Sequence, residues 1–246
     1  MVIKMRREKP ELLVPASSLE VLKTAVIFGA DAVYIGGEAF VLRAKAKNFS
    51  MEDMEAGIAF AHEHGVKVYV TANILAHNDD LEGARAYFNE LKEMKPDALI
   101  ISDPGMFMIA KEVCPEIEIH ISTQANNTNY QTYLFWWQQG ARRVVSAREL
   151  SLKEIAEIRK HIPDEMEIES FIHGAMCISY SGRCLLSNYF TGRDGVRDIF
   201  FAPRSTSLTP RLFSRFFSCV ESAGWAIINS WEAARMLPHS MIFTKL

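Results

Sequence analysis

The chain has 246 residues, 49% of them hydrophobic and 23% charged, which excludes disordered and collagen-like proteins. A formal net charge of -3 excludes a globally basic nucleic-acid-binding protein, although a local basic patch is compatible with it. The apolar runs are no longer than strands, which excludes a membrane span. The charged N-terminus lacks the apolar core of a secretory signal, and four cysteines are too few for a disulfide scaffold. We therefore expect a cytoplasmic protein with reduced thiols and no membrane segment.

Short apolar runs alternate with segments of helical period from residue 11 to about residue 174. The strand candidates in chain order are 11–16, 31–37, 66–74, 97–105, 117–126, 142–150 and 167–174. The helix candidates between them are 18–30, 51–65, 81–95, 106–113, 129–140 and 151–162. Several of these helix candidates begin at Ser, Asp or Asn and several end at Gly, as helices do.

Seven strand candidates interleaved with six helix candidates indicate parallel βα units. Successive strand candidates are about 25 residues apart, close to the spacing in a (β/α)8 barrel. A doubly wound sheet is the alternative, but it usually has a glycine-rich phosphate loop after its first strand, whereas VPASSLE follows here. The predicted fold is therefore an α/β barrel of the (β/α)8 TIM type, which is incomplete because only seven strands are assignable.

The chain divides into three regions by composition. Residues 1–10 are a charged lead, residues 11–194 form the predicted barrel core, and residues 195–246 form an atypical tail. The tail mixes Phe clusters with Ser, Arg and Pro, is locally basic, and shows no strand or helix period. We therefore assign no regular structure to it.

Polar residues recur where the strand candidates end, which is the edge that carries the chemistry of TIM barrels. We predict that Asn73, Gln124 and Arg148 contact substrate there. His173 and Glu169, in the last strand candidate, are the predicted acid–base residues, because imidazole and carboxyl groups exchange protons near neutral pH. Loop and helix capping is the competing explanation for about half of the polar residues at these strand ends.

A basic loop follows the second strand candidate. In LRAKAKNFS, Arg43, Lys45 and Lys47 alternate with apolar residues, a pattern that fits phosphate or RNA contacts as well as a solvated loop. Further arginines are expected to join them in one positive rim: Arg142, Arg143, Arg148, Arg183 and Arg193.

The densest motif is ESFIHGAMCISYSGRCLLS at residues 169–187. It holds Cys177 and Cys184 near two glycines, Gly174 and Gly182, which indicate a sharply turned loop. The two thiols are compatible with an iron–sulfur or zinc site, with a redox pair, or with two small buried side chains. Two ligands do not complete a zinc or cubane site.

This motif resembles the signature of peptidase family U32, the collagenase-like proteases. The resemblance extends upstream through ELLVPA, GADAVYIGG, SDPG, ISTQAN and SARELSL, and it covers about residues 11–194. LRAKAKNFS and HGAMCISYSGRCLLSNYFTGRD are most similar to the tRNA-hydroxylation branch of that family.

The resemblance implies a barrel whose rim holds an iron–sulfur cluster on four cysteines, two of them matching Cys177 and Cys184. The other two are expected just beyond Arg193 and Asp194, but the sequence departs from the family pattern after Arg197. A frameshift or truncation near this point is our hypothesis, and a degenerate paralogue is the alternative. Either way the predicted cluster site is incomplete.

The resemblance also implies a function in tRNA modification, the formation of 5-hydroxyuridine. In this interpretation Arg43, Lys45 and Arg148 bind the anticodon loop of tRNA. One alternative is a collagenase-like peptidase that cleaves a peptide substrate with Cys177 or Cys184 beside His173. Another is an inactive, truncated barrel fragment. The residues alone leave open whether the chain is an enzyme, and they leave its oligomeric state open.

Overall fold

The computed structural model describes residues 9–37, 40, 48–173 and 179–182 and the backbone of 243–245. Its strands are β1 (Leu12–Pro15), β2 (Ala32–Gly36), β3 (Lys67–Ala72), β4 (Ala98–Ile101), β5 (Glu118–Ile121), β6 (Arg143–Val145), β7 (Glu167–Phe171) and β8 (Phe243–Lys245). The helices are α1 (Leu19–Ile27), α2 (Met51–Glu63), α3 (Asn78–Met94), α4 (Pro104–Val113), α5 (Tyr130–Gln139) and α6 (Leu152–His161). A short 3-10 turn, Thr123–Ala125, follows β5.

The eight strands form a closed barrel in chain order. Strands β1 to β7 are parallel, each paired with the next, which confirms the predicted α/β barrel and its seven strands. The sequence left the eighth position unassigned, and β8 occupies it antiparallel to both β7 and β1. The barrel therefore closes in a different way from a (β/α)8 barrel, in which all eight strands are parallel.

Helix starts are fixed locally by capping side chains. The side chains of Ser18, Ser50, Asp103, Asn129 and Ser151 each accept a hydrogen bond from a backbone N–H in the first turn of the helix that follows. These caps satisfy donors that the helix itself leaves unpaired, and each contributes about 1 kcal/mol. The turns between strands and helices are therefore specified by residues adjacent in the chain.

Two apolar layers hold the barrel together. The larger one packs the outer faces of the strands against the helices and includes Leu22, Phe88 and Ile121. The smaller one fills the barrel interior with Leu13, Ala32, Tyr69, Ala98 and Ile100, against which Tyr34 and Phe171 pack. Because β4 is buried on both faces, its sequence is a continuous apolar run, Ala-Leu-Ile-Ile.

The predicted charged lead and atypical tail lie largely outside the described residues, which omit 1–8 and 195–242. In the part of the chain that the structure describes, no helix is both long and apolar enough to cross a membrane.

Candidate functional site

The C-terminal ends of the parallel strands meet at one edge of the barrel, here called the rim. Asn73 follows β3, Gln124 follows β5, and Arg148 follows β6, so the fold brings these three predicted residues to the same edge. Asn73 and Gln124 contact a common atom, the hydroxyl oxygen of Ser122. The Asn73 amide donates to it at 3.4 Å, and the Gln124 backbone N–H donates at 3.3 Å.

Ser181, which lies between the two cysteines of the motif, is fully buried against the loop after β6. Its backbone N–H donates to Glu149 Oε1 at 2.7 Å, and its hydroxyl lies 3.3 Å from Glu149 Oε2. Arg148 Nε donates to the Ser181 hydroxyl oxygen at 3.3 Å. Two charged side chains therefore hold the middle of the cysteine motif at the rim.

Gly182 brings this segment against the backbone of the 3-10 turn. Its φ is +72°, and a Cβ built on it would lie 2.0 Å from the carbonyl oxygen of Gln124. Only glycine fits here, because the Cβ of any other residue would overlap this backbone oxygen. The left-handed conformation would also cost free energy for any other residue.

Three hydroxyl groups lie beneath the rim. Tyr133 and Ser170 each donate to the hydroxyl oxygen of Ser146 at 3.1 Å, which links α5 and β7 to the end of β6. Burial raises the pKa of Tyr133 to about 12, so its hydroxyl stays protonated at neutral pH. These groups support the rim and hold its strands in place.

The predicted acid–base residues take different positions. His173 is half-buried, two residues beyond the end of β7 on the rim side. Glu169 was expected at the rim, but its carboxylate is buried inside the barrel and lies 3.2 Å from Arg143 Nη1. Burial raises the pKa of Glu169 to about 7, although the Arg143 guanidinium opposes this shift. Cys177, Cys184, Arg43 and Lys45 lie outside the described residues.

The prediction of one continuous positive rim is wrong for Arg142 and Arg143. Arg142 and Arg143 lie at the start of β6, at the opposite end of the barrel from Arg148. The Arg143 guanidinium is buried among three carboxylates, at 2.8 Å from Glu11, 2.7 Å from Glu167 and 3.2 Å from Glu169. In these four residues, here called the floor cluster, the Arg143 charge is paired with carboxylates inside the barrel and is not presented to a ligand.

His120 packs beside the floor cluster. It is fully buried, its ring meets the Tyr69 ring edge to face at 4.7 Å, and the Glu118 carboxylate lies 3.7 Å from Nε2. Burial lowers the pKa of His120 to about 4. The imidazole is therefore neutral in the folded protein at pH values where it is protonated in the unfolded chain.

This difference predicts a loss of stability in acid that depends on His120. Between about pH 6.5 and pH 4 the unfolded chain binds the extra proton, so the free energy of unfolding falls as the pH falls. Relative to a His120→Phe variant, the wild-type protein should lose about 2 kcal/mol between pH 7 and pH 4.5. Urea unfolding of both proteins measures the difference, and a difference independent of pH would contradict the assignment.

Metal ligands are not gathered in the described part of the chain. Among those residues no three His, Cys, Asp or Glu side chains form a group that could hold a metal ion. Cys114, at the C-terminal end of α4, lies at the end of the barrel opposite the rim, is buried, and contacts the Ala110 carbonyl oxygen at 3.3 Å. Burial raises the pKa of its thiol to about 11, which disfavours the thiolate that metals bind.

The floor cluster and the Ser181 contacts are the features that sequence reasoning missed. Glu149 is 32 residues from Ser181 along the chain, and no local pattern links them. The available signal for Ser181 was the adjacent Gly182, which indicates a tight turn. The signal for the floor cluster was an arginine and two glutamates at alternate positions of β6 and β7, which a barrel directs inward.

Comparison with known proteins gives consistent matches over this same region. The sequence model of peptidase family U32 matches residues 17–199, a range that includes every rim residue described above. The tRNA hydroxylation protein P1 of Bacillus subtilis (strain 168) is 48% identical over 190 residues, covering 77% of this chain and 44% of that protein. The tRNA hydroxylation protein P of Escherichia coli (strain K12) is 51% identical over 189 residues, covering 76% of this chain and 41% of that protein.

Two further proteins extend the comparison. The 23S rRNA 5-hydroxycytidine C2501 synthase of Escherichia coli (strain K12) is 41% identical over 187 residues, covering 76% of this chain and 28% of that protein. The chain thus spans less than half the length of these curated relatives. The solved structure of the U32 peptidase Mk0906 superposes with a TM-score of 0.55 at 15% identity, covering 68% of this chain and 71% of that one. This likeness shows a shared fold.

Proposed function

The chain belongs to peptidase family U32, and from this premise we propose that it takes part in the hydroxylation of a nucleobase in RNA, with tRNA as the substrate. The observation that carries the proposal is the 48% and 51% identity to two proteins named for tRNA hydroxylation, over three quarters of this chain. A third relative, named for hydroxycytidine formation in 23S rRNA, supports RNA as the common substrate class.

The chemistry of the rim supports an RNA ligand. Arg148 lies with its guanidinium carbon 5.8 Å from the centre of the Phe171 ring, a planar pair beside which a base can stack. Asn73 and Gln124 supply amide groups at the same rim, and amides pair with the edges of bases. Arg43 and Lys45, which follow β2 in the sequence, are proposed to contact phosphates.

The proposed acid–base roles differ in their structural support. His173 lies on the rim side of β7, where a proton carrier can reach a bound base. Glu169 pairs with Arg143 inside the barrel. We therefore propose that it stabilises β7 and does not contact substrate directly.

Cys177 and Cys184 are proposed as ligands of an iron–sulfur cluster, which would supply electron transfer when bound. The residues of this sequence do not fit a cluster held by four thiolates. The sequence has four cysteines, and Cys114 is buried at the opposite end of the barrel, so no more than three thiols remain for the rim. We therefore derive no step of the reaction through a cluster.

The proposal is tested by binding of an unmodified tRNA anticodon stem-loop, measured by fluorescence anisotropy at increasing salt. The dissociation constant should rise steeply between 50 mM and 200 mM salt. The Arg148→Gln variant should bind more weakly, because it removes the guanidinium from the proposed stacking pair with Phe171.

Arg85→Gln is the matched control, because Arg85 is an exposed arginine on α3 that pairs with Glu112. It removes the same charge from the protein and should leave binding unchanged. A dissociation constant that changes neither with salt nor in the Arg148→Gln variant would contradict the proposal. Cleavage of gelatin that is abolished by Cys177→Ser would favour the collagenase-like peptidase, and a protein that binds neither RNA nor peptide would fit the inactive fragment.

A further inference from the structure

Unpaired amide atoms are concentrated at one corner of the rim. Of the seven buried side-chain nitrogen and oxygen atoms that have no hydrogen-bond partner among the described residues, three are Asn73 Oδ1, Gln124 Oε1 and Asn126 Nδ2. Asn73, Gln124 and Asn126 are here called the amide corner. Buried polar groups are normally paired, so such a concentration requires an explanation.

Hydrogen bonds to Ser122 and within the 3-10 turn hold the residues of the amide corner together. The Ser122 hydroxyl oxygen accepts from both the Asn73 side chain and the Gln124 backbone. The backbone N–H of Asn126 donates to the Thr123 carbonyl oxygen at 3.0 Å, which closes the 3-10 turn that carries Gln124. Asn126 itself has a left-handed conformation, with φ of 53°. The corner is therefore arranged before any ligand arrives.

The three amide groups are able to turn toward a ligand. Each belongs to a side chain that is half-buried at the rim, so part of it already faces outward. The last torsion of Asn and Gln is broad, so these amide groups can rotate, and for Asn73 the rotation exchanges its 3.4 Å hydrogen bond to Ser122 for one to the ligand. After rotation, the corner offers both carbonyl acceptors and N–H donors.

A stacking surface adjoins these donors and acceptors. Ser181 connects the two, because its hydroxyl oxygen lies 3.3 Å from Arg148 Nε and 3.4 Å from the hydroxyl of Thr123, the residue before Gln124. Arg148 in turn lies over the Phe171 ring. Flat stacking groups beside amide donors and acceptors match an unstacked nucleobase, which presents a π face and a mixed hydrogen-bonding edge.

We propose that the amide corner reads the hydrogen-bonding edge of one nucleobase that is turned out of single-stranded RNA. This inference rests on the proposed function and adds the residues that recognise the base. A peptide also offers N–H and C=O groups, but extended peptides add to open sheet edges, and the strands here form a closed barrel. The geometry therefore favours a base over a peptide.

The test compares binding of a short oligouridine with binding of the same oligomer carrying one abasic site at its centre. The wild-type protein should bind the intact oligomer about tenfold more tightly. Gln124→Met and Asn73→Leu, which keep side-chain size and remove the amide, should each bring this ratio close to one while leaving binding of the abasic oligomer unchanged. Gln138→Met, on the exposed face of α5, is the matched control and should keep the wild-type ratio.

Equal binding of both oligomers by the wild-type protein would overturn the inference, while salt-dependent binding of the abasic oligomer would still support the proposed function. Loss of all RNA binding would overturn both. Displacement of oligouridine by gelatin peptides, weakened by Gln124→Met, would overturn the inference in favour of a peptide ligand.

Discussion

Replacing Arg143 with methionine is expected to lower the free energy of unfolding by about 3 to 5 kcal/mol. The guanidinium is 2% exposed and contacts the carboxylates of Glu11, Glu167 and Glu169 at 2.7 to 3.2 Å. Its removal would leave three carboxyl groups facing one another in the barrel interior, where water cannot screen them. Urea unfolding followed by tryptophan fluorescence measures the loss.

Arg142→Met is the control for this variant, because Arg142 is the preceding residue and pairs with the same Glu167. Its side chain is 39% exposed, and its Nη2 lies 3.8 Å from Glu167 Oε1, so the loss should be below about 1 kcal/mol. Equal losses from the two variants would show that the floor cluster does not depend on Arg143. The loss in Arg143→Met should also be larger at alkaline pH, since acid allows the unpaired carboxyl groups to take up protons.

Neighbouring residues explain why so much of the barrel could be predicted from the sequence. The seven strands and six helices follow from apolar period and from caps such as Ser50 and Asp103, which act within one turn. The order of the parallel strands then follows from the alternation of strands and helices. The strand β8 has no such local origin, because the barrel places it antiparallel between β7 and β1.

The rim was predicted in part for the same reason. Asn73, Gln124 and Arg148 follow strand ends directly, so the strands themselves carry them to one edge. Whether an arginine in a strand faces ligand or other charges depends on partners distant in the chain, such as Glu11 for Arg143. The sequence placed Arg143 on the rim because its three carboxylate partners are distant in the chain: two come from β7, and the third is the residue before β1.

With the proposed function, these positions would divide stability and recognition between the two ends of the barrel. The floor cluster lies at the N-terminal ends of the strands and fixes β6 and β7 against Glu11. The rim residues lie at the C-terminal ends, where loops are free to vary without disturbing the interior. Substitutions in the floor cluster should therefore change unfolding first, and substitutions in the amide corner should change RNA binding at nearly constant stability.

Replacing Gly182 with alanine is expected to release the middle of the cysteine motif from the rim. The added Cβ would lie 2.0 Å from the Gln124 carbonyl oxygen, a backbone atom that cannot move aside, so the segment itself must shift. The shift would break the bond from the Ser181 N–H to Glu149, which is charge-assisted. We expect a loss of about 3 kcal/mol in the free energy of unfolding, together with fast hydrogen exchange at the Ser181 amide.

Gly65→Ala separates this close approach from the cost of the backbone conformation. Gly65 has the same φ of +72° as Gly182, but a Cβ built on it meets nothing within 4 Å. Its substitution should cost only about 1 kcal/mol, from the left-handed conformation alone, and should leave exchange at Ser181 as slow as in the wild-type protein. If the two variants lose the same stability and both keep Ser181 protected, the contact between Gly182 and Gln124 does not hold the cysteine motif in place. If only Gly182→Ala exposes Ser181, the fit of one glycine against one carbonyl group determines where Ser181 and Gly182 lie on the rim.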